Sequence, residues 1–374
     1  MHFLPDDSRT VGSWVPAASM QTGRVGHCAA LLPNGSVLVA GGATSAGAGR
    51  YSITATAEVY SPESDSWKLV ADLGQARERP VAAVLTSGRV LVAGGGDGDK
   101  GAFRDTELYD PGRELWIWTG QMAQPRTHHA AALLSSGRVL VAGGYAGNVL
   151  ATVESYDPTS GLWEQESSLK HRRSLHTATR ILNDRVLVAG GSNLGLIVAE
   201  SEIYDPASGD WASTGSLSIP RYGHCAVAMR DGTVLVAGGV GILSPSARTT
   251  DMRLHEPSGN RANTLRMTLP RPLASAESYD PLLGNWTEIQ PMHFAHQLPT
   301  ATLLAGGQVL VVSGSGAEVY DPGAGTWTAA PGMNAMRGNH TATLLLDGRV
   351  LVTGGGQGAA ANTAELYQPI QKDT

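Results

Sequence analysis

One six-residue string returns along the whole chain: VLVAGG stands at 37–42, 90–95, 139–144, 186–191 and 234–239, with the variants VLVVSG at 309–314 and VLVTGG at 350–355. Seven copies, roughly 50 residues apart, exclude a fold assembled from unlike elements, because every copy must bury the same pattern in the same way. Each copy is followed by Glu, a spacer and Tyr, as in AEVYSP, TELYDP and VESYDP. In six units a Trp stands seven residues after that Tyr, from Tyr60 and Trp67 to Tyr320 and Trp327. Tyr367 has no Trp behind it. The missing Trp is at the other end of the chain, as Trp14.

Each unit reads as four short runs rich in Val, Leu, Thr, Tyr and Trp, separated by Asn-Gly, Ser-Gly, Asp-Gly and Asp-Pro turn signals. We call them strand a (such as HAAALL), strand b (VLVAGG), strand c (VESYD) and strand d (around the Trp). Composition agrees with many tight turns. Gly is 47 of 374 residues, against a usual ~7%, while charged residues are 16% and apolar ones 42%. The glycines lack a three-residue period, which excludes collagen, and the apolar content excludes a disordered acidic chain. A net charge of −6 supplies no basic field for nucleic acid or an anionic membrane. No run approaches the ~18 apolar residues of a membrane helix, and MHFLPDDSRT lacks the regions of a signal peptide. A soluble cytoplasmic monomer is expected; the alternative is a secreted protein whose leader has been removed. Two cysteines, Cys28 and Cys225, cannot make a disulfide framework and read as small buried strand residues.

The double Gly, the Tyr and the spaced Trp make each unit resemble a kelch repeat. The resemblance covers about residues 12–369 and implies an all-β fold, a seven-bladed kelch-type β-propeller with four-stranded antiparallel blades. Trp14 then completes the last blade beside Tyr367, so the N-terminal strand closes the ring and no edge is left open. The whole chain, 1–374, reads as one propeller domain, with residues 240–274 as a long insertion in blade 5.

Antiparallel order puts the loop after each Gly-Gly on the same face as the lead-in to strand a. The a–b turns are short and alike, whereas the b–c loops range from Ser315 and Gly316 to the 240–274 insertion, so the variable face is the expected binding face. That insertion carries Arg248, Arg253, Arg261, Arg266 and Arg271 against Asp251 and Glu256, with His255 among them, and its basic excess suits an acidic partner.

Five lead-ins place Arg three residues before His: Arg24 and His27, Arg126 and His129, Arg173 and His176, Arg221 and His224, Arg337 and His340. Blade 2 has Arg77 and Pro80, and blade 6 has His296 and Pro299. Such a ring could hold a carboxylate or a metal, yet residues repeated in most blades are more simply repeat-building, and the Glu before each Tyr offers the Arg a structural partner. Residues that break the repeat carry more information: His128, Tyr222, Asn339, Arg79, Arg172, and His293, Phe294 and His296 of blade 6. The expected site is therefore the loop-face mouth of the central channel, at the junction of blades 5 and 6, where the insertion meets the altered blade 6 entry, and across the mouth from it. His128, His296, Tyr222 and His224 are the acid–base candidates there. Arg79, Arg126, Arg172, Arg221, Arg253, His255, Phe294 and Asn339 are the ligand-binding candidates.

Kelch-like propellers also resemble the galactose oxidase family, whose copper site uses two Tyr and two His ligands, one Tyr-His pair being adjacent in sequence. Here the residues before the strand-a histidines are Gly26, His128, Leu175, Gly223 and Asn339, so that pattern is not matched. No cofactor and no metal are expected; a three-His site from His128, His129 and His176 or His224 is the metal alternative. There is no G-x-S-x-G, H-E-x-x-H, C-x-x-C, P-loop or nucleotide fingerprint. Three functions fit. The first is a stand-alone propeller binding a small-molecule or peptide ligand with an acidic group, with non-redox isomerase, epimerase or cyclase chemistry as its catalytic form. The others are a protein-interaction scaffold and a metal-dependent oxidase.

Overall fold

A computed structural model describes residues 11–45, 51–98, 101–242, 250–253, 264–267, 269–314, 316–356 and 361–370. Among them stand seven four-stranded antiparallel sheets. The first runs Cys28–Leu31, Val37–Ala40, Ala57–Ser61 and Ser66–Val70 as strands a to d, and the next five repeat that order. The seventh runs Thr341–Leu344, Val350–Thr353 and Ala364–Pro369, and its outer strand is Gly12–Ala17 from the N-terminal end. No helix of the described residues is long and apolar enough to cross a membrane.

The Tyr-to-Trp spacing sets the register of strands c and d. Tyr60 lies opposite Trp67, Tyr156 opposite Trp163, and Trp14 opposite Tyr367, with ring centroids 5.1, 5.3 and 5.2 Å apart. Such cross-strand aromatic pairs hold a sheet together by contact. The Asp after the Tyr builds the c–d turn: Asp157 Oδ1 accepts the Thr159 N–H at 2.8 Å, and Asp205 the Ala207 N–H at 2.9 Å.

Strand b is wholly buried in every sheet, because a central strand covered on both faces needs apolar residues at every position. Its alternate side chains face opposite neighbours. Leu38 and Ala40 pack with Val90, Val92 and Tyr109 of the second sheet, while Val37 and Val39 pack with Leu345, Leu351 and Leu366 of the seventh. Each strand a touches strand a of the next sheet, and that of the seventh touches that of the first. The seven innermost strands thus surround one axis. Ala29, Ala82, Ala131, Ala178, Ala226, Ala301 and Ala342 hold the same half-buried position there, where converging strands leave little room.

The lead-ins and b–c loops do share a face. Val25 pairs with Ala43, Thr127 with Tyr145, and Ser174 with Ser192, each joining a lead-in to the residue just past Gly-Gly. Part of the blade 5 insertion is also ordered into strands: Arg271–Pro272 pairs with Val240–Gly241, and Thr250–Arg253 pairs with Thr264–Met267.

Candidate functional site

Three successive roles are packed into each four-residue lead-in, and the Arg has the first. Arg24 is buried and donates from Nη1 to the carbonyls of Gly41 (2.9 Å) and Thr56 (2.8 Å), and from Nη2 to Glu58 Oε1 (2.8 Å). Glu58 in turn accepts the N–H groups of Gln21 (2.7 Å) and Thr22 (3.0 Å). The pair therefore ties the lead-in, the end of strand b and the start of strand c of one blade. The same latch joins Arg77 to Glu107, Arg126 to Glu154, Arg173 to Glu202, Arg221 to Glu277 and Arg337 to Glu365. Arg126 and Arg221, expected to bind ligand, are consequently consumed by the scaffold, because a buried guanidinium needs its carboxylate and carbonyl partners.

In blade 6 the latch is rebuilt with a shorter side chain. His296 stands where the other blades have Arg, with Nε2 3.1 Å from Glu318 Oε1 and Nδ1 2.8 Å from Ser313 Oγ. Ser313 replaces the first Gly of the Gly-Gly pair, and strand b here runs on through it, as Val309–Ser313. Two substitutions thus compensate each other: the hydroxyl meets an imidazole that cannot reach as far as a guanidinium. His293 adds a third contact, Nδ1 to Glu318 Oε2 at 2.7 Å. The hydrogen bonds from both histidines hold the Glu318 carboxyl below its ordinary range against the opposing effect of burial, which is the largest influence on it. His296 is 1% exposed, so the acid–base candidate of blade 6 is a structural group. Phe294 is half exposed and gives its backbone N–H to Glu318 at 3.0 Å.

The His of the lead-in has the second role, as a wedge between blades. A Cβ added to Gly354 would lie 2.7 Å from His27 Cε1, and one on Gly190 would lie 2.8 Å from His224 Cε1. The imidazoles of His27, His129, His176 and His224 therefore fill the space above the first Gly of the preceding blade, which only Gly leaves open. Where that blade supplies a Thr the ring finds a partner: His27 with Thr341 and Thr353, His224 with Thr177, His340 with Thr300, all at 3.0–3.1 Å. Burial pushes His224 down to about 3 and His340 to about 4, and holds His27, His129 and His176 well below the usual imidazole value. His224 is thus a neutral packing group. Among the described residues no three of His, Cys, Asp and Glu are grouped to hold a metal ion. The three-His alternative fails because His129, His176 and His224 sit in separate crevices between blades. Cys28 and Cys225 are free and buried, and burial raises their thiols to about 11 and about 12.

The third role belongs to the residue between them, two after the Arg. It is Gly26, Arg79, His128, Leu175, Gly223, Leu298 and Asn339 in the seven blades, and every one has a left-handed φ, between 49° and 61°. Backbone hydrogen bonds link these residues from blade to blade: Gly26 N–H to Asn339 O (2.9 Å), Arg79 N–H to Gly26 O (2.6 Å), Leu175 N–H to His128 O (3.0 Å) and Gly223 N–H to Leu175 O (2.8 Å). The seven positions form a ring at the loop-face end of the inner strands, and these bonds join Asn339, Gly26 and Arg79 in one run and His128, Leu175 and Gly223 in another. Five of its members carry side chains in a conformation that costs an L-residue roughly 1–2 kcal/mol, and such strain concentrates at functional sites. Arg79, His128 and Asn339, three of the residues that break the repeat, all hold this position. Burial, and then the Arg79 cation, push His128 down to about 4, so it is neutral at pH 7.

The remaining candidates stand apart. Tyr222 pairs through its backbone with Val240, and Arg172 is exposed, donating to Val149 O at 3.1 Å. Arg253 ends the Thr250–Arg253 strand of the blade 5 insertion, and His255 lies outside the described residues. Leu175 and Leu298 are members of the ring that repeat-breaking does not single out; aligning the position two after each Arg exposes them. A cavity of about 1230 Å³ opens on the opposite face, beside Arg230, Gln308, Leu346 and Arg349. It holds none of the candidates, and its polar groups pair locally: Arg230 with Ala305 O, Gln308 with Asp321, Arg349 with Asp347.

Four-stranded sheets set around an axis and latched by one repeated ion pair define a β-propeller. The chain belongs to the kelch-repeat family: the KLHDC2/KLHL20/DRC7 Kelch-repeats domain matches residues 26–239. Among solved structures it is similar to a novel fungal alcohol oxidase with catalytic diversity among the AA5 family, in complex with copper. That match has 18% identity and a TM-score of 0.71, covering 96% of this chain and 77% of the oxidase. It is also similar to YjhT, at 14% identity and a TM-score of 0.60, covering 84% of this chain and 99% of that one. Both likenesses concern the fold. No curated protein matches the sequence.

Proposed function

We propose that the chain is a single seven-bladed propeller, closed by its N-terminal strand, that binds a small acidic ligand at the loop-face mouth of its channel. One observation carries this reading: Arg79, His128 and Asn339 occupy the same left-handed position in three blades at the loop-face end of the inner strands. Arg79 supplies the cation for a carboxylate, and Asn339 a neutral donor. His128, kept neutral beside that cation, accepts or donates a hydrogen bond and is the group that would move a proton in an isomerase-type step. The latch arginines offer no such service, since each is spent on its own glutamate.

Calorimetric titration of the full chain with acetate, hexanoate, phenylacetate and gluconate tests the reading. At least one acid should bind, and Arg79→Gly should weaken it tenfold or more, a loss of about 1.4 kcal/mol. Equal affinity in wild type and Arg79→Gly would overturn it.

A further inference from the structure

The ring is two-sided. In blade order its members run Asn339, Gly26, Arg79, His128 over blades 7, 1, 2 and 3, then Leu175, Gly223, Leu298 over blades 4, 5 and 6. All the polar side chains fall on one arc and both leucines on the other. The glycines are placed to join each arc. A Cβ on Gly26 would lie 3.4 Å from Arg79 Cγ, so the Arg79 stem lies beside Gly26 of blade 1. A Cβ on Gly223 would lie 2.7 Å from Leu298 Cδ2, so Leu298 leans over blade 5 towards Leu175.

Packing does not account for the leucines. Both are only half buried, and both hold a left-handed φ, 56° at Leu175 and 49° at Leu298, that Gly holds without cost at the same position in blades 1 and 5. A strained apolar side chain left partly uncovered beside polar neighbours is what an apolar part of a ligand would cover.

We infer that the ligand is an amphiphilic carboxylic acid: its carboxylate lies against Arg79, His128 and Asn339, and an apolar body of several carbons lies across Leu175 and Leu298. This rests on the acid-binding reading of the same mouth and adds the chemistry of the other half. A polyhydroxy acid would leave its hydroxyls unpaired against the leucines, and an alcohol of the same length would leave Arg79 without its anion.

The test compares acetate, butyrate, hexanoate, gluconate and 1-hexanol on the full chain, in wild type, Arg79→Gly and the double variant Leu175→Gly with Leu298→Gly. Each substitution installs the residue that blades 1 and 5 already carry, so folding is retained. In wild type, affinity should rise about fourfold for each methylene from acetate to hexanoate, with gluconate and 1-hexanol both weaker than hexanoate. The leucine variant should keep acetate affinity and lose the dependence on length. Arg79→Gly should weaken all three alkanoates alike and keep that dependence. Gluconate equal to hexanoate, or a length dependence that survives loss of both leucines, would overturn the amphiphile and leave acid binding standing. Alkanoate affinities indifferent to Arg79→Gly would overturn the acid reading itself.

Discussion

Arg77 and Arg79 stand two residues apart in one lead-in and do opposite work. Arg77 is fully buried, bonds Glu107 at 2.9 Å and the carbonyls of Gly94 and Asp105, and lies 5.8 Å from the centre of the Phe103 ring. Arg79 is half buried, holds a left-handed backbone, and its charge lowers the His128 imidazole. The first is repeated in six blades with a glutamate to match; the second has no counterpart of its type in the ring. In a repeat protein every copy must build the same joint, so repetition marks the joint, and whatever varies at a fixed strained position is released for another use.

Acid should act on the repeated set most strongly. His27, His129, His176, His224 and His340 have folded values below the ordinary ~6.5 of the unfolded chain, so between pH 7 and 5.5 the unfolded state takes up protons that the folded state refuses. Stability is present above about 6.5 and lost as pH falls. Each histidine contributes about 1 kcal/mol to that loss, or about 5 kcal/mol for the five. Urea midpoints at the two pH values measure it, and an unchanged midpoint would deny the buried neutral wedges.

Breaking one latch should cost somewhat less. Arg126→Met leaves Glu154 buried without its cation, which should lower stability by about 3–5 kcal/mol, read from denaturant unfolding. A change within 0.5 kcal/mol would show that the repeated arginines are not the joint.

Much of this was legible in the residues. Tyr and Trp seven apart must face each other across a short turn, so the c–d register follows from spacing, while the pairing of Trp14 with Tyr367 follows from the missing Trp of the last repeat and the kelch resemblance. The family and the all-β class follow from the same strings. Arg79, His128 and Asn339 are visible as breaks in the repeat. Their union is not, since it depends on a backbone conformation that Gly, Arg, His, Leu and Asn all adopt at that position. Leu175 and Leu298 stayed hidden because a leucine before His176 or Pro299 carries no chemical signal of its own. The role of His296 was hidden for another reason: its partner Ser313 lies in a different string, and only contact shows that the two departures compensate.

The smallest expected effect separates the two arginines most cleanly. The melting midpoint of Arg79→Gly is compared with wild type, with and without hexanoate. Relief of the left-handed strain, partly offset by glycine's entropy, should leave the midpoint of the free variant at or above wild type, a gain of up to about 1 kcal/mol. The rise that hexanoate gives wild type should disappear. A midpoint that falls by several degrees while the hexanoate-induced rise persists would make Arg79 one more joint of the scaffold and contradict the account.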